Sequence, residues 1–462
     1  MEIKLLDFWQ RNRPELDNVL EAGEFTANTT AAGLGLAIAL GVVGTTALPV
    51  AGVAAAGLGF AGSIRKVIEF AAKRENKRLD IEQIVALAAP LAYVQSFNSW
   101  IERNSILAEK INHTQNQELQ VDSKLENLTL DRQLAVNALR NFHSSELAHT
   151  FNQILSAQLI EQKLSQTETK IIVAWVAWKT GLYLKEAVAE YSNSQELAII
   201  GIYKNASQSE DLSPYKSIET YLAEQITTKP QETVFNEKFS FQDIYVPLKA
   251  TSVDANGKVR QDAGTFVVEE WAEKTLLNPN KAKQVMFIQA GPGRGKSVFC
   301  RMFADLVRKK IHSLWIPVII RLRDIESFEQ SFAKTLQGAV KADFAQDEGW
   351  LTDSKLRFLF LLDGFDELRM EGRAKGGVER FITQVGSYQK LCDTSEMGHR
   401  FIVTGRQLAL QGISYLPENL ERVELLSMDD DLQGQWFDKW QQVVDQDQVT
   451  ANRKVELLKG FL

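Results

Sequence analysis

The segment Ala290-Gly291-Pro292-Gly293-Arg294-Gly295-Lys296-Ser297 constrains this chain more than any other. It follows an apolar run, Val285-Met286-Phe287-Ile288-Gln289, and precedes a stretch of helical character beginning near Lys296. A strand, a glycine-rich loop and a helix in that order form an anion cradle. The glycines let backbone N–H groups turn inward, and the helix offers its positive amino end. Lys296 can reach the β- and γ-phosphates of a nucleotide, and the Ser297 hydroxyl can ligate Mg²⁺. The expected binding residues are Gly291, Pro292, Gly293, Arg294, Gly295, Lys296, Ser297 and Val298. Ala290 stands where the strict pattern has glycine, while the phosphate-facing Gly293 and Gly295 are kept.

Such a loop needs acids from a second strand. Arg357-Phe358-Leu359-Phe360-Leu361-Leu362-Asp363-Gly364-Phe365-Asp366-Glu367 supplies them. Asp363, at the tip of the apolar run, is expected to hold Mg²⁺ through water. Just beyond it, Glu367 is the favoured catalytic base and Asp366 its rival, since a carboxylate there can orient an attacking water. A third apolar run, His399-Arg400-Phe401-Ile402-Val403-Thr404-Gly405-Arg406, ends in an arginine suited to a γ-phosphate. Arg321 and Arg323, ending Ile319-Ile320-Arg321-Leu322-Arg323-Asp324, are weaker candidates for that role, and structural ion pairs are the favoured reading. Guanine recognition asks for an Asn-Lys-x-Asp element after the acidic strand, and none is present. The expected ligands are therefore ATP and Mg²⁺.

From residue 284 onward apolar strand candidates (284–290, 314–322, 356–362, 400–404, 421–426) alternate with helical segments. That alternation predicts a parallel sheet covered by helices. Phe241-Gln242-Asp243-Ile244-Tyr245-Val246-Pro247-Leu248 reads as a further strand, and Asn256-Gly257 as a turn. Residues 65–225 carry helical periodicity at 81–87, 132–165 and 170–190. The run Ile171–Trp178 is too short to span a bilayer and reads as a core helix. The expected fold is multi-domain: an α-helical amino-terminal domain followed by an α/β P-loop domain with a parallel sheet. The expected divisions are 1–64, a helix and an apolar hairpin; 65–225, a helical effector or adaptor; 226–240, a linker; and 241–462, the nucleotide domain.

The acidic segment Asp363-Gly364-Phe365-Asp366-Glu367 resembles the extended acidic motif of NACHT NTPases, with a small residue after the first Asp and two further acids. Val403-Thr404-Gly405-Arg406 resembles their sensor strand, and Ile244-Tyr245-Val246-Pro247-Leu248 the segment that often precedes the domain. The likeness covers roughly residues 240–445. It implies a signalling switch rather than a metabolic enzyme: an amino-terminal effector, a central ATPase, an unidentified trigger ligand and self-association into a higher oligomer. Many such proteins are innate immune receptors, and bacterial relatives act in antiphage defence. The family also has a winged-helix segment after the ATPase core, and this sequence ends at Leu462, before such a segment could be completed. Two other readings stand beside this one, an ATP-driven remodelling or helicase-like motor and a nucleotide-binding scaffold without turnover.

Residues 25–64 contain no charged side chain and eight glycines, with Pro49 near the middle. Proline interrupts a helix, so two apolar helices are expected, over 30–46 and 50–64. Arg65, Lys66, Lys73, Arg74, Lys77 and Arg78 follow. Small residues favour close helix packing in lipid, and the cations suit anionic headgroups. This makes residues 25–78 a candidate membrane-active hairpin. A buried hairpin in a soluble bundle is the alternative. Each half would be about 24 Å long, against a bilayer core of about 30 Å. A net charge of −7 gives no global field for nucleic acid, and none is expected as a specific partner. Two cysteines and an acidic start without a basic, then apolar, leader fit a cytoplasmic protein that meets membranes on activation. The five histidines are scattered, and His143 and His149 lack the i, i+4 spacing of two ligands on one helical face.

Overall fold

A computed structural model describes residues 2–12, 36–37, 39–40, 67–69, 71–76, 79–112, 122–191, 213–234, 238–254, 257–260, 263–325, 329, 331–370, 375–395, 397–410, 413 and 415–444. They divide into two compact units. The first comprises Met1–Tyr215 with Lys310–Leu314, and the second Lys216–Lys309 with Trp315–Leu462. The hairpin expected over 30–46 and 50–64 lies outside the described residues, apart from the buried Leu36, Ala37, Ala39 and Leu40. Arg65, Lys66, Lys77, Arg78 and Asn256 also lie outside them.

The first unit is helical. Its principal helices are Ile81–Glu102, Arg132–Arg140, Glu146–Glu161 and Gln166–Tyr191. Their starts are set by side chains that satisfy orphan N–H groups. Asp131 accepts from Leu134 N at 2.7 Å, and Ser145 accepts from Ala148 N at 3.1 Å. Ile81–Glu102 is apolar on every side and Val85, Leu87, Tyr93, Val94 and Trp100 are fully buried. Among the described residues it is the one helix long and apolar enough to cross a membrane, and 89% of its apolar window lies inside the fold, as in a core helix. Tyr93 donates to Asn152 Oδ1 at 2.6 Å, and Trp9 Nε1 to Ala86 O at 2.8 Å, so the polar atoms of two large side chains have partners. Of residues 1–24, expected as a short helix, 5–12 are helical, preceded by a two-residue strand, β1 (Ile3–Lys4), paired antiparallel with β2 (Thr129–Leu130), and 13–24 lie outside the described residues.

The second unit is built on a seven-stranded sheet. Its strands are β3 (Lys249–Ser252), β4 (Thr265–Val267), β5 (Val285–Gln289), β6 (Ile316–Arg321), β7 (Phe358–Asp363), β8 (Arg400–Gly405) and β9 (Leu420–Leu425). The order is β4-β3-β9-β5-β8-β7-β6. From β9 to β6 all neighbours are parallel, while β3 and β4 are antiparallel additions on the β9 side. β5 is buried at every position, and Phe358–Leu362 of β7 are wholly inaccessible. Strands covered on both faces read as continuous apolar runs, which is why β5, β7 and β8 stood out in the sequence. The helical first unit and the mostly parallel, helix-flanked second unit are the fold class expected.

One expected strand is not there. Phe241–Ile244 is a helical turn, because Ser240 Oγ accepts from Asp243 N at 3.3 Å while the Asp243 carboxylate accepts from Ser240 N at 2.8 Å. This reciprocal cap diverts the chain, and pairing begins only at Lys249. Upstream, Ser213–Tyr221 is a helix continued by a π-helical stretch, Leu222–Ile226.

Candidate functional site

The order β5-β8-β7 puts the carboxyl ends of three expected strands side by side. In an open α/β sheet the crevice beyond those ends is where ligands bind. The glycine-rich loop leaves β5 and enters the helix Lys296–Lys310. Gly293 and Gly295 have φ of 70° and 82°, a region that side-chain-bearing residues rarely enter. At Gly295 a Cβ would also lie 2.8 Å from Leu248 Cδ1. The Lys296 ammonium folds back onto its own loop, donating to Ala290 O at 3.0 Å and Gly291 O at 2.8 Å. Partial burial lowers its pKa, a pull opposed chiefly by Asp366 and also by Asp363 and Glu367. Arg294 reaches Ser427 Oγ.

At the tip of β7, Asp363 is held by its neighbour on β8. The buried Thr404 hydroxyl donates to Asp363 Oδ1 at 2.6 Å and accepts from Gly364 N at 3.1 Å. Cys300, fully buried on the helix after the loop, also interacts with Asp363 and Thr404, and burial pushes its thiol pKa well up. Gly364 adopts φ 87° and turns the chain, so that Glu367 begins a short helix, Glu367–Met370. Burial raises the Glu367 pKa and the nearby Asp363 and Asp366 add to the rise, while Arg323 opposes it.

The two rival acids have different surroundings. Asp366 is engaged by Arg406, whose Nε lies 2.7 Å from Oδ2 and whose backbone N donates to Oδ1 at 3.1 Å. Glu367 faces Arg323 at 3.8 Å, a longer and partly exposed contact. Glu367 is thus the less constrained carboxylate. Arg323, read from sequence as a structural ion-pair residue, also pairs with Asp324 at 3.7 Å.

Ser297, Asp363 and Glu367 border a single cleft of about 140 Å³, together with Lys229, Arg301, Ile319, Arg321 and Arg323. A hydroxyl and a carboxylate as the protein's contribution suit Mg²⁺, which keeps waters and takes phosphate oxygens for its remaining positions. A wider cavity of about 470 Å³ lies in the first unit among Leu130, Leu134, Asn137, Arg140 and Leu147, and contains none of these groups. Lys229 and Arg301 were not picked out from the sequence. Arg301 follows Ser297 by four residues and so shares its helical face, a signal that was there to be read. Lys229 is brought in only by the fold.

Residues 42–241 match the family model described as NACHT N-terminal Helical domain 3. No curated protein matches the chain. The matched stretch is the helical part of the chain and ends shortly before the first strand of the seven-stranded sheet, Lys249–Ser252.

Proposed function

We propose that the chain is an ATP-binding and slowly ATP-hydrolysing switch of the NACHT type. In this reading its nucleotide state governs self-association and, through it, the helical amino-terminal unit. The observation that carries the reading is the convergence of Ser297, Asp363 and Glu367 on one cleft beside a loop whose glycines take positive φ. Gly291 to Val298 would wrap the phosphates, with Lys296 released from its own carbonyls to meet them. Ser297 and Asp363 would hold Mg²⁺, which supplies charge neutralisation at the phosphate oxygens when bound. Glu367 would accept a proton from water, its raised pKa bringing it closer to a useful base. Arg406 would exchange its tie to Asp366 for the terminal phosphate.

Binding and turnover of ATP by the full chain test this. Lys296→Ala should abolish binding, whereas Glu367→Gln should keep binding and lower turnover by about 100-fold. Equal turnover in Glu367→Gln would remove Glu367 from the mechanism. Fast constitutive turnover would favour a motor over a switch. A role in antiphage or other immune defence, with membrane action through residues 25–78, belongs to the same proposal. Leakage of anionic vesicles under activating conditions, abolished by Gly35→Glu with Gly57→Glu, tests the membrane part, and no leakage would end it.

A further inference from the structure

The cleft carries more positive charge than those roles use. Lys229, Arg301, Arg321 and Arg323 all border it. Glu232 holds two of them at once: Lys229 Nζ lies 2.6 Å from Oε1 and Arg301 Nη1 2.6 Å from Oε2. The Lys229 and Arg301 side chains are only 25% and 17% exposed, so this is not a loose surface pair. Arg301 is further fixed by the Phe241 ring, 4.7 Å from its guanidinium. Glu232 is held by those cations in its charged form, its pKa lying below the usual range although burial alone would raise it.

Lys229 and Glu232 are carried by an unusual piece of chain. They fall within the stretch 42–241 that matches the helical family model, yet they pack in the second unit. They follow directly on Ser213–Tyr221 and its π-helical continuation. That segment is anchored to the sheet by the Tyr221 hydroxyl, which accepts from Ile319 N of β6 at 3.2 Å. The turn itself is tied to the following helix, with Gln242 N donating to Pro230 O at 2.8 Å and Phe241 N to Glu232 O at 3.2 Å.

On the ATP reading, Glu367 and the Mg²⁺-side residues Ser297 and Asp363 border the space where a terminal phosphate would lie. Lys229 borders the same space. We propose that Lys229 contacts the terminal phosphate of a nucleoside triphosphate and that Glu232 is its resting partner, so that a triphosphate, and not a diphosphate, moves the turn 227–234. This rests on the ATP reading above. The triphosphate offers Lys229 and Arg301 a denser negative charge than one carboxylate does. Glu232 then loses both partners, and the segment leading back to the helical unit registers the change.

The test uses the full chain with Glu367→Gln to prevent turnover, measuring ATP and ADP affinities separately. Lys229→Ala should weaken ATP about 10-fold and leave ADP unchanged. Lys229→Arg should recover most of the loss, and Glu232→Gln should tighten ATP alone by a few-fold. Hydrogen exchange of the peptide covering 222–234 should change with ATP and not with ADP. Equal effects of Lys229→Ala on both nucleotides, or on neither, overturn the proposal while leaving the ATP reading intact. Failure of the unsubstituted chain to bind either nucleotide overturns both.

Discussion

Replacing Thr404 by valine keeps the shape of a fully buried side chain and removes its hydroxyl. That hydroxyl makes two bonds, one accepted from Gly364 N and one donated to the Asp363 carboxylate. Leaving a buried N–H without a partner costs about 1–3 kcal/mol, and a hydrogen bond to a charged group contributes about 1.5–3 kcal/mol. Asp363 is only partly buried, so water recovers some of the second contribution. The expected loss is about 2–4 kcal/mol, concentrated at the ends of β7 and β8. Thr404→Ser keeps the hydroxyl and loses one methyl, which costs about 1 kcal/mol. Hydrogen exchange of the peptides spanning 358–370 and 400–406, read in the full chain, separates the two. Valine should raise the opening rate of these peptides 30-fold or more, by the order-of-magnitude conversion of about 1.4 kcal/mol per factor of ten. Serine should change it far less. If valine protects these peptides as well as threonine does, the hydroxyl does not fix Asp363.

Glu269 is buried with neither carboxylate oxygen hydrogen-bonded, and burial raises its pKa to about 7. The folded state therefore holds a proton that the unfolded state releases, and stability falls as pH rises from about 4.5 to about 7, by on the order of 3 kcal/mol. Glu269→Gln should remove that slope in denaturation measured across this range, and an unchanged slope would count against it. His399 gives the opposite sign, because burial lowers its pKa to about 4 and it is neutral when folded. Its Nδ1 accepts from Phe358 N and its Nε2 meets Leu351 O. Stability from this group is present above about pH 6.5 and is lost as pH falls towards about 4, so the stability gap between the protein and His399→Gln should narrow on acidification. Gly405→Ala would put a Cβ 3.1 Å from Phe365 Cβ and 3.2 Å from Phe287 Cζ. The expected cost is about 1–3 kcal/mol, read as a lower denaturation midpoint of the second unit, and no loss would mean that these rings move aside freely.

The phosphate loop and the acidic strand were legible because each joins an apolar run, buried on both faces, to residues whose conformation or charge such a strand would not otherwise carry. Strand order was not legible. Alternation foretells a parallel sheet but not that β8 lies between β5 and β7, and it is this adjacency that pairs Thr404 with Asp363 and Arg406 with Asp366. Phe241–Leu248 was read as a strand from its composition, whereas the Ser240–Asp243 cap decides the backbone locally. Lys229 lies 68 residues before Ser297 and carries no motif, so only the tertiary fold brings it to the cleft.

The helix Ile81–Glu102, buried on nearly every side, has a consequence for biosynthesis. Its most extensive packing partner is Gln166–Tyr191, which ends about 90 residues later. At roughly 5–20 residues per second of synthesis, that apolar surface waits on the order of 5–20 s before its partner is complete. During that interval a bilayer-length apolar segment is exposed to chaperones, to other nascent chains and to any nearby lipid. The helical amino-terminal unit should therefore depend on holdase chaperones during its synthesis, a dependence that truncation before residue 166 would make permanent.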